Sequence, residues 1–425
     1  MPLLFAALAL SAAGLAMVVS TTSGTPRGSL GGRQALFLLA GVVAAAFFAL
    51  FDYRLLLRAS PALFLASLLP LVWLPVFGPT IAGAKSWIRL FGGFQVQPSE
   101  LARIATVLLL AWILENDDRP YLSTRTVAAL VGVVALPVGL ILLQPDLGVA
   151  LTYVPFLVAA LYLGGLRPRV WAGLVLAGSL AVGASWFVLK DYQKDRIRTF
   201  LDPDLAARGA GYQVRQARIA IGSGGITGKG WKEGTQSRLG FLPVRHSDFI
   251  FAALAEERGF LGVAVVLGLY GLYLARGLGV ARDARDRGGS MLVLLVVLNV
   301  AAQAAANVAM NVGVLPTTGI TLPFVSYGGS SIIATWAMTG LVLGGNVSSM
   351  LMLAITPPEV LAAAITSGRR PSCSAVMRCR LPNSTLDEVS EPVMTTPSQP
   401  SSVPKKGYNA PVRAKASPKV PSMPA

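Results

Sequence analysis

The chain has 425 residues, of which 54% are hydrophobic and only 13% charged, with a formal net charge of +16. Soluble globular domains carry about 25% charged residues, so a soluble domain is excluded; the apolar runs are continuous rather than alternating, which excludes a transmembrane β-barrel. The cysteines are Cys373 and Cys379 and the sole histidine is His246, which excludes a disulfide framework in the apolar part and a multi-histidine zinc site.

Apolar runs near the ~20-residue length that crosses a bilayer recur along residues 1–353. They predict an all-α fold: a polytopic integral membrane protein with about ten transmembrane helices and one long extracytoplasmic loop. The first run, 3–20, lacks a preceding basic stretch and reads as an uncleaved span. The others fall at 34–51, 61–77, 101–114, 127–143, 147–163, 170–189, 249–275, 290–312 and 330–353. Ten arginines, from Arg54 to Arg287, occupy the even-numbered connections; the short odd-numbered ones hold four basic residues, Arg27, Arg33, Lys85 and Arg89. The positive-inside rule then makes the even connections and both termini cytoplasmic. The long loop 190–248 is external and too long for that rule to govern.

Polar groups gather on the external side. Gln97-Pro98-Ser99-Glu100 opens the fourth span, with Arg103 at i,i+3 from Glu100. This reads either as a capped helix with an internal ion pair or as the wall of a cavity. Gln144-Pro145-Asp146-Leu147-Gly148 reads as a tight interhelical turn in which Asp146 caps the next helix. The loop 190–248 carries eleven Lys/Arg against six acids. Within it, Tyr212–Ile221 has the spacing of an amphipathic helix on the membrane surface. Six glycines from Gly222 to Gly234 follow. A glycine-rich basic loop suits an anionic ligand such as a lipid diphosphate, or is simply solvated near headgroups. It is not a Walker loop, because Ser223 and Gly230 stand where glycine and Ser/Thr are required. Asp248 ends the loop, as a helix N-cap or as a functional carboxylate, and Glu256 further along the same helix is an intramembrane candidate. Leu315–Ser331 has no charge and three turn-forming clusters, which predicts a re-entrant element lining a cavity.

Residues 356–425 are rich in Pro, Ser and Lys and read as a disordered cytoplasmic tail, separate from a membrane domain over 1–355. The positive charge is spread along a membrane topology, so nucleic acid is not an expected partner.

Residues 85–105 (KSWIRLFGGFQVQPSELARIA), 144–148 (QPDLG), 211–257 and 311–331 resemble the SEDS family, the RodA/FtsW peptidoglycan glycosyltransferases. The family's LPE-x-H-[TS]-D-F-[IV]-F motif reads here as Leu242-Pro243-Val244-Arg245-His246-Ser247-Asp248-Phe249-Ile250-Phe251. The resemblance implies that Asp248 is the catalytic residue. Val244 stands where the family has Glu, and Arg103 where it has Lys after QPSE-x-A. The resemblance implies a multi-pass protein of the bacterial cytoplasmic membrane that polymerises lipid II, the undecaprenyl-diphosphate disaccharide-pentapeptide, beside a class B penicillin-binding protein. Gly228-Lys229-Gly230-Trp231 is similar to the RodA (elongation) branch, which is favoured. Leu315-Pro316-Thr317-Thr318-Gly319 leans to the FtsW (division) branch.

The resemblance implies transfer with inversion, which needs one carboxylate as general base, and a diphosphate is a good leaving group without an acid. The candidate substrate-binding residues are Glu100, Arg103, Lys194, Arg196, Arg215, Lys229, His246 and Ser330. A divalent cation is an open question as cofactor: it suits a diphosphate, but no cluster has ligand spacing. The competing class is a lipid II flippase or other transporter, whose site would lie near the midplane.

Overall fold

The computed structural model describes residues 1–23, 30–81, 83–89, 95–117, 119–185 and 210–355, with positions 187, 194, 198 and 200. The chain divides into Met1–Ile355 and Thr356–Ala425. The expected tail, 356–425, lies outside the described residues.

Helices α1 (Pro2–Thr22), α2 (Leu30–Leu50) and α3 (Tyr53–Phe77) lead into a two-residue hairpin, β1 (Ile88–Arg89) against β2 (Gln95–Val96). The hairpin is antiparallel, pairing Ile88 with Val96 and Arg89 with Gln95. Next come α4 (Pro98–Glu115), α5 (Thr124–Leu143), α6 (Leu147–Leu151), α7 (Val154–Leu163) and α8 (Pro168–Ser185). The external segment contributes α9 (Ala210–Ser223) and α10 (Thr235–Arg238). The chain then re-enters the bundle as α11 (Ile250–Asp283), α12 (Arg287–Val312) and α13 (Gly329–Ile355).

Counting α6 and α7 as one interrupted pass, the described residues hold ten hydrophobic helical passes, in the expected order. Six are long and apolar enough to cross a membrane by length and composition: α1, α2, α3, α5, α11 and α12. Helix α3 starts eight residues before the predicted 61, because the Asp52 side chain accepts from the Arg54 N–H and caps it there. Pro61, Pro70 and Pro75 lie inside this helix, as membrane helices tolerate.

Helices α4 and α12 form the centre. Their buried residues run through every turn, from Pro98 to Leu114 in α4 and from Gly288 to Asn311 in α12. Helices α2 and α3 turn apolar side chains outward instead: Leu36, Leu39 and Phe47 on one, Leu65, Leu69 and Trp73 on the other. Exposed apolar surface on this scale belongs against lipid, so the protein is a multi-pass membrane protein. Helix α2 packs closely on α13, where a Cβ on Gly340 would lie 2.4 Å from the Ala45 carbonyl oxygen. Such small-residue contacts let membrane helices approach.

The uncharged segment between α12 and α13 folds back into the protein. Leu322, Phe324, Val325 and Ser326 are buried, and Phe324 packs edge-on against Trp336. The amphipathic helix of the external loop is a correction: α9 buries Ala217 and Ala220 completely. It packs on α11 and α12 rather than lying on the membrane surface.

Candidate functional site

A cavity of about 420 Å³ opens between the start of α4, the α5–α6 turn, residues 246–248, α12 and the fold-back segment. Glu100, Asp146 and Asp248 bring carboxylates to its wall, and Arg33 and Arg103 bring guanidiniums.

Asp248 sits where the external loop becomes α11. The helix N-cap is Phe249 and makes no side-chain cap, so the N-cap reading of Asp248 is corrected. The segment is instead held through its backbone. The Asp248 carbonyl accepts from Asn307 Nδ2 and Asn311 Nδ2, both at 3.0 Å. The Ser247 carbonyl accepts from Ser326 Oγ at 2.6 Å, and the His246 carbonyl from the Tyr327 N–H at 2.9 Å. With its main chain anchored on α12 and on the fold-back segment, the Asp248 side chain faces the cavity. There Ser247 Oγ donates to Oδ1 at 2.8 Å. Gly319, at φ +80°, lies opposite: a Cβ there would come 3.6 Å from Asp248 Oδ2.

The start of α4 and the α5–α6 turn supply further lining. Glu100 and Arg103 form the ion pair their i,i+3 spacing predicts, with both side chains buried. Both also line the cavity, so the ion pair and the cavity wall hold together; the cap is a correction, because the N-cap is Gln97 and makes no side-chain cap. Asp146 caps α6, accepting from the Val149 N–H at 3.2 Å, and receives Gln97 Nε2 at 3.1 Å. The His246 ring packs against Tyr327 at 5.6 Å. Burial pushes the Tyr327 hydroxyl above its ordinary pKa, while the neighbouring Arg33 draws it back.

The remaining expected residues are placed differently. Ser330 Oγ accepts from the Gln97 N–H at 3.0 Å and donates to the Gln95 carbonyl at 3.4 Å, tying α13 to β2 and the start of α4, and it does not line the cavity. Arg215 is exposed on α9, and neither it nor Lys194 lines the cavity. Arg196 lies outside the described residues. Lys229 is a correction: its ammonium donates to Glu256 Oε1 at 2.9 Å and Thr235 Oγ1 at 2.7 Å, away from the cavity.

The glycine-rich loop is likewise a packing device. Gly259 (φ 63°, ψ −165°) interrupts α11, and the loop takes up the hydrogen bonds the break releases. The Lys229 N–H donates to the Glu256 carbonyl at 2.9 Å and Gly230 N–H to Glu257 at 3.1 Å. Phe260 N–H donates to Gly225 at 2.9 Å and Leu261 N–H to Ile226 at 3.1 Å. A Cβ on Gly259 would lie 2.3 Å from the Gly228 nitrogen, so only glycine permits this approach.

The reading of residue types passed over Asn307 and Asn311, and Gln303, which also lines the cavity. A signal was present: Asn299, Gln303, Asn307 and Asn311 recur every fourth residue inside an apolar span, and all four are buried. Among the described residues no three His, Cys, Asp or Glu groups come together to hold a metal ion.

The family model described as "Cell cycle protein" (FtsW, RodA, SpoVE) matches residues 1–350. The chain belongs to the SEDS family. This SEDS protein is 41% identical over 291 residues to the peptidoglycan glycosyltransferase MrdB of Escherichia coli K12, covering 67% of this chain and 76% of that one. It is 37% identical over 329 residues to a probable peptidoglycan glycosyltransferase FtsW of Trichlorobacter lovleyi, covering 76% and 84%. Its fold matches a chain solved in a study of how a peptidoglycan synthase complex coordinates polymerization and crosslinking, with TM-score 0.69 at 36% identity over 80% of this chain and 95% of that one. It also matches the crystal structure of Thermus thermophilus rod shape determining protein RodA, with TM-score 0.60 at 32% identity over 80% and 94%.

Proposed function

We propose that this SEDS protein is a peptidoglycan glycosyltransferase that polymerises lipid II at the outer face of the bacterial cytoplasmic membrane, in cell elongation. One observation carries the reading: Asp248, anchored by its backbone on α12, lines a polar cavity that Arg103 also lines. The names of the relatives at 41% and 37% identity support the reaction class.

The Asp248 carboxylate takes the proton of the acceptor sugar's 4-hydroxyl as that oxygen attacks the anomeric carbon of the MurNAc unit. The new carbon–oxygen bond forms with inversion. The bond to the diphosphate oxygen breaks, and the lipid diphosphate leaves with the electron pair. Arg103 and Arg33 are the guanidiniums on the cavity wall that receive this charge. Both termini are cytoplasmic in this reading, because the basic short connections lie on the side away from the Asp248 cavity.

Elongation rather than division is supported by Gly228-Lys229-Gly230-Trp231, which is similar to the RodA branch. The chain solved in the peptidoglycan synthase work supports a cross-linking partner, a class B penicillin-binding protein. The test uses purified full-length protein with lipid II. Asp248→Asn is expected to lower polymerisation by about a hundredfold or more, the range of a lost general base, with an unchanged unfolding midpoint. Undiminished polymer would overturn the assignment. Lipid II translocation into liposomes without polymer would replace it with a transporter.

A further inference from the structure

A second cavity, of about 340 Å³, lies on the other side of the segment that carries Asp248. Arg245 lines this second cavity, while His246, Ser247 and Asp248 line the first. Arg245 and Asp248 are three residues apart, so their Cα atoms lie within about 11 Å even in extended chain. The two cavities thus share one strip of backbone as a wall. Arg245 is fixed toward its own side by Nε donating to the Thr21 carbonyl at 2.8 Å.

The chemistry of the second cavity differs from that of a phosphate site. Lys232, Arg238 and Arg245 face Glu233 and Glu257, so the charges nearly cancel. Around them stand the hydroxyls of Ser20 and Ser23 and the ring of Trp231. Ser20 Oγ donates to Glu257 at 2.7 Å and Ser23 Oγ to the Ser20 carbonyl at 2.7 Å, which leaves both hydroxyl oxygens able to accept. Arg258 lies over the Trp231 ring at 5.0 Å, and the ring remains 37% exposed. Donors, acceptors and an aromatic surface in near charge balance suit a neutral ligand dense in hydroxyl and amide groups. Neither a diphosphate nor a lipid chain has that character.

We propose that this second cavity is a saccharide subsite that holds an amino-sugar unit of the glycan chain next to the one reacting at Asp248. The inference rests on the polymerase reading. A polymerase that joins sugars at one cavity must pass the chain across its edge, and the second cavity stands across the 245–248 segment from that edge. Holding the chain there keeps it bound between additions, so the subsite sets product length.

The full-length protein in detergent is titrated with the N-acetylglucosamine tetrasaccharide while tryptophan fluorescence is followed. A saturable change is expected that is lost in Trp231→Phe and is about tenfold weaker in Arg238→Ala, the loss of one charge-assisted hydrogen bond. Both side chains are exposed, so the variants keep the fold. With lipid II, Arg238→Ala is expected to give shorter glycan chains at matched consumption. No saturable change in the wild-type protein, or one that neither variant alters, overturns the subsite. Binding of the free stem pentapeptide in place of the tetrasaccharide overturns it in favour of a peptide site. If the wild-type protein makes no polymer, the polymerase reading fails, and the tetrasaccharide titration still decides what the cavity binds.

Discussion

Asp248 and Glu256 are eight residues apart on one stretch of chain, and the structure uses them in opposite ways. Glu256 is fully buried and its carboxylate is saturated. Oε1 accepts from Lys229 Nζ, Thr235 Oγ1 and the Gln236 N–H, and Oε2 from the Ser237 N–H and Oγ. Asp248 is held by its main chain, through Asn307 and Asn311, with its carboxylate on a cavity wall. A carboxylate whose lone pairs are all committed fastens structure. One whose backbone does the fastening turns its side chain to a cavity, as Asp248 does while Ser247 Oγ donates to its Oδ1. Depth in the membrane alone, which marks Glu256 as a functional candidate, does not separate the two.

Glu256→Gln breaks this comparison most sharply. The neutral amide loses the ion pair with Lys229, and its NH2 must oppose either the Gln236 N–H or the Ser237 N–H, whichever oxygen it replaces. The expected cost is about 3 kcal/mol of stability, the scale for removing one partner of a buried charge pair. It is read as a lower unfolding midpoint in detergent. Lys229→Ala combined with Glu256→Gln should cost less than the two singly, because they share one interaction. A stable Glu256→Gln protein with no polymerisation would move Glu256 into the chemistry and undo the contrast with Asp248.

The ten apolar passes and the Glu100–Arg103 pair were legible because both rest on local periodicity, and periodicity is written along the chain. Asp146 was legible as a helix cap for the same reason. The role proposed for Asp248 rests on the motif around it, since by composition alone a carboxylate before a helix reads as a cap. The rest depends on contacts between distant segments. Lys229 meets Glu256 across 27 residues, and Asn311 reaches Asp248 across 63. No spacing rule anticipates that Gly259 would break α11 and that Gly224–Gly230 would complete its hydrogen bonds. The loop's glycines and positive charge fit a diphosphate cradle equally well until the packing is seen.

Asn307 tests the other half of the comparison, the backbone anchor. Its Nδ2 bridges the carbonyls of Asp248, at 3.0 Å, and Ile320, at 2.7 Å, and so pins the site to the fold-back segment. Asn307→Leu keeps the branched shape and the number of heavy atoms and removes the bridge, while Asn311 still holds Asp248. If Asp248 is the base, as proposed, polymerisation is expected to fall about tenfold in kcat with little change in KM, because a misplaced base harms the transition state more than binding. An unchanged kcat would show that Asn311 alone suffices.

Val244 sharpens the comparison at the smallest scale. It lies four residues before Asp248 with φ 49°, a left-handed conformation that is unfavourable for a β-branched side chain. The Ser247 N–H donates to its carbonyl at 3.1 Å, so this residue opens the turn that delivers Asp248 to the cavity. Its side chain is 43% exposed, and burial does not explain the choice of valine. Asparagine adopts this conformation more readily, so Val244→Asn is expected to raise stability by about 1 kcal/mol. If the turn only connects two segments, activity stays with stability or rises. If the strain helps to aim Asp248, kcat falls while the unfolding midpoint climbs. A midpoint that does not move would mean the turn relaxes around valine, and the anchoring of Asp248 would then rest on α12 and the fold-back segment alone.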